Sequence, residues 1–254
     1  MTSEQSTEGA GPRRVLPKLD GVDEVMCHTV RERLGDDFPP VPLGVLDAPD
    51  PELDATVIEL RRIRESIAGL ARSGVELADV TEALRSVADT LEQRVPDVRT
   101  RLEQMWTGAG SRRANPVGGE ENPIAPPLRV QGNADGSVSG ELTLGPAYQG
   151  PPGCVHGGVS AMIIDHLMGF ANHWANRFGM TAHYELDYRS PTPLLTPLVF
   201  RAWVERTDGR KTWTHATIHA GERLCVEARG LFLEAGVPVP GRPGTVSSVG
   251  DVGA

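Results

Sequence analysis

Cysteine is scarce in this chain of 254 residues: Cys27, Cys154 and Cys225 are the only three. Their spacing fits neither a paired disulfide framework nor a metal-binding cluster, and three unpaired thiols suit a reducing cytosol. Basic residues are also in deficit. Lys and Arg total 25 against 34 Asp and Glu, a formal charge of −9, which argues against electrostatically driven binding of nucleic acid. No apolar run approaches membrane-spanning length. The opening residues MTSEQSTEGAGPRRVLPKLDG hold no apolar run of signal-peptide length. The expectation is a soluble, cytoplasmic protein.

What the chain does have is organised around residues 148–169, YQGPPGCVHGGVSAMIIDHLMG. A loop rich in Gly and Pro leads into a helix expected from His156 to about Phe178, because Val159, Ile163, Leu167, Phe170 and Trp174 recur at helical spacing. The opposite side is apolar or small as well (Ala161, Met162, Ile164, Met168, Ala171), the pattern of a buried central helix. Inside it lie Asp165 and His166. A carboxylate within a buried helix costs free energy unless it is paired or used.

Gly157 and Gly158 stand at the first turn, where backbone N–H groups lack intrahelical partners. Without a Cβ, a glycine there lets a ligand's carbonyl oxygen approach the amide, and the positive end of the helix dipole favours it. Asp165 follows Gly158 by nearly two turns and shares its face with Ala161, Met168 and Gly169. Small residues on that face suit close approach of another chain. Yet Gly157 and Asp165 are separated by roughly 12 Å of helix rise, too far for one carbonyl to touch both. If both act on one carbonyl, the second comes from the antiparallel helix of a partner subunit. That implies a two-fold dimer with composite sites.

Taken in order, residues 1–17 are polar with scattered Gly and Pro and are expected to be disordered. Residues 18–106 form a helical extension, although 19–51 alternate short apolar patches with Pro and Asp and give no reading. A helix over 51–72 keeps Leu53, Val57, Leu60, Ile63, Ile67 and Leu70 on one stripe and stops at Ser73-Gly74. A second carries Leu77, Val80, Leu84, Val87, Leu91 and Val95 up to Pro96, with a further turn or two through Val98, Leu102, Met105 and Trp106. The reading over about 51–106 is a helical hairpin with one apolar face per helix. Residues 107–126, dense in Gly and Pro, read as a linker.

From 127 to 235 the texture is that of strands, expected over 128–131, 137–144, 181–190, 198–207, 212–220 and 224–234. Asp135-Gly136, Asp208-Gly209 and Gly221-Glu222 mark the turns. In 198–207, Leu198, Phe200, Ala202 and Val204 fall on one face and Arg201, Trp203 and Glu205 mostly on the other. Several antiparallel strands and one fully apolar helix are satisfied by a curved sheet wrapped around that helix. Residues 236–254 read as a disordered tail.

The order YQGPPGCVHGG, then MIIDHLMGFA, then MTAHYELDYRSPTPL resembles the hotdog-fold acyl-CoA thioesterases of the PaaI type. It is similar in particular to the group that includes the mammalian mitochondrial long-chain enzymes. The resemblance covers about 126–235. It implies an α+β hotdog domain with the N-terminal helical extension outside it, hydrolysis of acyl-CoA to free acid and CoA without cofactor or metal, and a homodimer or dimer of dimers. It implies Asp165 as nucleophile or general base, the Gly157 N–H as oxyanion donor, and His156 shaping the loop near the carbonyl. Thr181 then holds the attacking water, while Gly158, Asp187, Arg189 and Arg210 bind substrate, Arg being suited to the phosphates of CoA. Many relatives carry Asn where His183 stands. The acyl group is expected to run along the central helix past Met162 and Met168.

Other readings compete. Asp165 could be a structural carboxylate at a dimer seam. Thr181, His183, Glu185, Asp187 and Arg189 alternate onto one strand face, which fits a solvated sheet surface equally well. His156, His166 and His173 have no zinc-ligand spacing with carboxylates. Cys154, with no evident His-plus-acid relay, reads as packing, and His215 and His219, on a face with Trp213, as surface or interface. At the level of the whole protein the alternative is a non-catalytic acyl-CoA-binding module or regulator, with a hydratase-type lyase third. For the extension, covering an apolar groove, extending the dimer and binding another protein all stay open.

Overall fold

The computed structural model describes residues 41–43, 50–70, 74–98, 100 and 113–234. The expectations for 1–17, for 236–254 and for the turn through Leu102, Met105 and Trp106 lie outside the described residues. Among the described residues seven strands form one sheet: β1 (Val41–Leu43), β2 (Arg129–Gly132), β3 (Val138–Thr143), β4 (Met180–Tyr188), β5 (Pro197–Asp208), β6 (Lys211–Ala220) and β7 (Arg223–Leu233). They pair antiparallel throughout in the order β1-β2-β3-β5-β6-β7-β4. The sheet is open, with β1 and β4 at its edges.

Six of these strands lie within two residues of the expected ends. The alternation that located them is the burial pattern itself: Leu198, Phe200 and Ala202 are fully buried while Val199 and Arg201 face out. β1 was not anticipated. Its three residues lie in a Pro-flanked run and are strand only through pairing with β2.

The sheet wraps the central helix, here α3 (Gly157–Trp174), three helices being described. Ile163, Ile164, Leu167 and Met168 are fully buried against the sheet, each contributing about 1.5–3 kcal/mol. The helix ends four residues short of Phe178. There Asn176 takes a left-handed conformation with φ 55°, which Asn tolerates better than most residues. Trp174 closes that end by donating its Nε1–H to the carbonyl of Asn133 at 2.9 Å.

Before the sheet come α1 (Pro51–Gly69) and α2 (Ala78–Glu92). α1 starts where sequence chemistry says it should: Asp50 accepts the Leu53 N–H at 3.0 Å and Pro51 takes the first helical position. It buries Val57 and packs on a single 3-10 turn, Pro146–Tyr148. α2 buries no residue, and its stripe of Val80, Val87 and Leu91 is exposed. Among the described residues the two helices share no packed seam. The Gly- and Pro-rich stretch read as a linker is a chain of tight turns over 113–126, and it is pinned to α1. Arg113, only 2% exposed, pairs with Asp54 of α1 and with Glu120 and Glu121. Arg61 of α1 donates to the carbonyls of Gly119, Glu120 and Asn122.

Candidate active site

The loop before α3 is a small hairpin built by its own backbone. Gln149 bridges Val155, the Gly150 N–H donates to the Cys154 carbonyl at 2.9 Å, and the His156 N–H donates to the Tyr148 carbonyl at 2.9 Å. It is docked by the Val155 N–H on Thr192 O and the Leu194 N–H on Gly153 O. Cys154 serves here through its backbone, which bridges Pro193.

His156 is the N-cap of α3. Its Nδ1 accepts the Gly158 N–H at 3.0 Å, and its carbonyl accepts from Val159 at 2.9 Å and Ser160 at 3.2 Å. A cap through Nδ1 requires the neutral imidazole with its proton on Nε2. Of the first four helix amides, only the Gly157 N–H is left without an acceptor among the described residues. Gly158 was read as a second ligand contact, but its amide is already committed to the cap. A Cβ on Gly157 would sit 2.9 Å from the Tyr188 hydroxyl, the outer end of an exposed side chain, which donates to the Gly157 carbonyl at 2.9 Å.

Two turns along, Asp165 is half-buried, and its Oδ1 accepts from Thr181 Oγ1 at 2.8 Å. The alternation that groups Thr181 with His183, Glu185, Asp187 and Arg189 does not hold across the whole of β4. The register slips between Thr181, opposite buried Phe232, and His183, opposite Leu231. Ala182 is the extra residue of a β-bulge, and the bulge turns Thr181 to the helix side of the sheet. Tyr184 and Tyr188 share that side and went unnoticed in the sequence. The signal was available, since Tyr184, Leu186 and Tyr188 alternate against the charged residues. Burial, and then the Asp165 and Tyr188 charges, push the Tyr184 phenol up, so it stays protonated.

The face of α3 that carries Asp165 is left partly open by the sheet: Gly158 is exposed, and Ala161, Met162 and Gly169 are half-buried. Nothing lies within 4 Å of where a Cβ on Gly169 would be. Met168, expected on that face, is instead fully buried beneath Gly230. It lines the core, and Met162 alone of the pair borders the open side. His166 points away, under the 113–119 turns, its Nε2 against Gly118, and that nitrogen is buried without a partner among the described residues. Burial drives its pKa down to about 4, with Asp165 opposing and His173 adding to the fall.

Among the described residues, those assigned to CoA bond to groups other than Asp165. Arg189 is paired with Asp187 at 2.9 Å and Glu227 at 3.2 Å. Arg210, in the β5–β6 turn, donates to the Glu234 carbonyl at 2.8 Å. On the outer sheet face His215 stacks on Trp203 at 4.5 Å and lies 3.1 Å from Glu227 Oε1. A cleft of about 690 Å³ opens beside it, lined by Asp135, Arg201, Trp203 and His219 among others, and neither Gly157 nor Asp165 borders it. Among the described residues no three His, Cys, Asp or Glu side chains gather as a metal site, and no helix is long and apolar enough to cross a membrane.

This arrangement can be set beside known proteins. The family model described as the thioesterase superfamily matches residues 152–227, the stretch from the loop through α3 to β7. The crystal structure of a thioesterase superfamily protein superimposes with a TM-score of 0.67 at 40% sequence identity, over 78% of this chain and 98% of that one. The chain belongs to the thioesterase superfamily. This member of the superfamily is also 37% identical over 92 residues to the acyl-coenzyme A thioesterase THEM4 of Xenopus laevis, covering 35% of this chain and 41% of the relative. To the same enzyme of Rattus norvegicus it is 36% identical over 88 residues, 34% of this chain and 38% of the relative. It thus spans about two fifths of the length of the curated relatives it matches.

Proposed function

We propose that this thioesterase superfamily member hydrolyses acyl-CoA thioesters at a site shared by two copies of the chain. The observation that carries the reading is that Thr181 holds one oxygen of Asp165 while the Gly157 amide, alone of its helix start, has no acceptor among the described residues. One protomer's Gly157 N–H takes the thioester carbonyl oxygen and stabilises the charge that grows there. The partner subunit's Asp165 keeps Oδ2 for a water, and Thr181 Oγ1 can accept from that same water. The water oxygen adds to the carbonyl carbon, its proton passes to the carboxylate, the C–S bond breaks, and the thiolate of CoA leaves with that proton. The two-fold partner is supported by the open, small-residue face of α3 and by β4, an exposed sheet edge with unpaired backbone groups. The names of the curated relatives support acyl-CoA as the substrate. Asp187, Arg189 and Arg210 are carried forward as contacts for the CoA part, the two arginines being the ones whose charge suits its phosphates.

Thiol release from short, medium and long acyl-CoAs tests this. Wild type should turn over, and Asp165→Asn should lose at least about a hundredfold in kcat while still binding a non-hydrolysable acyl-CoA thioether. A wild type that binds the ester and never releases thiol would make the chain a binding module. A single turnover in ¹⁸O water should place the label in the acid at once; label appearing only on later turnovers would make Asp165 a nucleophile.

A further inference from the structure

The extension reaches the foot of the site loop through Arg64 and Glu65 of α1. Arg64 of α1 donates from Nη2 to the Tyr148 hydroxyl at 2.8 Å, with its guanidinium carbon 4.7 Å from the ring centre. It is itself braced by the Pro123 carbonyl at 2.7 Å and by Glu65 at 3.1 Å. Glu65 reaches the same turn: its carboxylate accepts the Ala147 N–H at 3.4 Å and occupies the space a Cβ on Gly145 would need. Helix α1 therefore grips residues 145–148 from outside by two consecutive side chains. These ties span more than eighty residues of sequence.

Tyr148 is also the foot of the loop that carries the free amide. It is 7% exposed, and its carbonyl accepts the His156 N–H at 2.9 Å, so the stem closes between these two residues. His156 then caps α3, and its conformation (φ −63°, ψ 133°) aims the next N–H, that of Gly157. The chain of contacts runs Arg64 to Tyr148 to His156 to the Gly157 amide, each link either a hydrogen bond or a covalent neighbour. We infer that Arg64 is a positioning residue for the Gly157 amide, so that helix α1 completes the active site without touching substrate. This rests on the acyl-CoA hydrolase reading, which gives that amide its job. An oxyanion donor displaced by an ångström through a remote contact loses on the order of ten- to a hundredfold in rate.

The test uses the full chain and two readouts. In thiol release, Arg64→Ala and Tyr148→Phe should each lower kcat about tenfold or more with KM nearly unchanged, and the double variant should be no worse than Arg64→Ala alone. Arg64→Lys, which still offers a donor, should recover part of the loss. In ¹⁵N-glycine-labelled protein the Gly157 and Gly158 amide resonances should move in Arg64→Ala and Tyr148→Phe. The inference is overturned by resonances that do not move. It is equally overturned by losses that multiply in the double variant, or by a kcat that falls only in proportion to unfolded protein. A wild type without thiol release defeats the hydrolase reading instead, and the glycine resonances still decide whether Arg64 sets the amide.

Discussion

Thr181 reaches Asp165, Oγ1 to Oδ1 at 2.8 Å, because a one-residue bulge at Ala182 turns it from the outer face of β4 to the helix side. Without the bulge Thr181 would stand beside His183 and Asp187, on the far side of the sheet from α3. A hydroxyl that orients a carboxylate and can accept from the same water affects turnover more than binding. Thr181→Ala should therefore lower kcat roughly ten- to a hundredfold with little change in KM, and Thr181→Ser should keep most of the activity. Thiol-release kinetics on the two variants check this, and equal loss in both would deny the hydroxyl its role.

His166 supplies a pH dependence of stability. Its pKa is about 4 in the folded chain against about 6.5 unfolded. The folded state therefore binds the proton less readily, and stability present above pH 6.5 is lost as pH falls toward 4. Between pH 7.5 and pH 5 this one group should cost about 2 kcal/mol. His166→Leu removes both the titration and a buried, unpartnered nitrogen, so it should be neutral or stabilising at pH 7.5 and should flatten the acid limb. Urea unfolding of wild type and variant at the two pH values measures the difference. Parallel curves would show that His166 is already solvated in the folded state.

The strands and the central helix were legible because each is a local pattern: period two in β5, helical spacing in α3, glycines at the helix start. The site was legible only in part. Asp165 and Gly157 stand out as a carboxylate in an apolar helix and a glycine where amides lack partners. The bulge at Ala182 could not be read, since a strand count assumes an unbroken alternation and nothing local marks the extra residue. Tyr148 and Arg64 were missed for a different reason. Their contact joins segments 84 positions apart, and a half-buried Arg on a helix looks like any solvated charge until the Pro146–Tyr148 turn is placed against it. β1 escaped in the same way, as three residues made strand only by pairing with β2.

Arg113 should hold α1 in place. Its guanidinium is buried among Asp54, Glu120 and Glu121, and removing it leaves three carboxylates facing one another around the space it vacates. Arg113→Ala should cost about 3 kcal/mol of stability, read by thermal or urea unfolding. The loss should be local first, because Asp54 is the side that α1 contributes. Hydrogen exchange in the variant should therefore speed up through α1 before the sheet. Uniform loss of protection, with α1 no faster than β6, would place the role of Arg113 elsewhere.

The sharpest test of a shared site uses proline. Proline is favoured at the first helical position and lacks only the N–H, and His156, at ψ 133°, already has the extended conformation that a following proline demands. Gly157→Pro thus deletes the proposed oxyanion donor at the one place where the helix can accept the change, and the atoms nearest the added Cβ belong to the exposed Tyr188 side chain. Homogeneous Gly157→Pro and homogeneous Asp165→Asn should each be inactive. Co-refolding the two should restore up to about a quarter of wild-type activity, because half the dimers are mixed and each of those regains one intact site under two-fold symmetry. If the mixture stays as inactive as its parents while mixed dimers are shown to form by mass spectrometry, the amide and the carboxylate act within one protomer or not together at all.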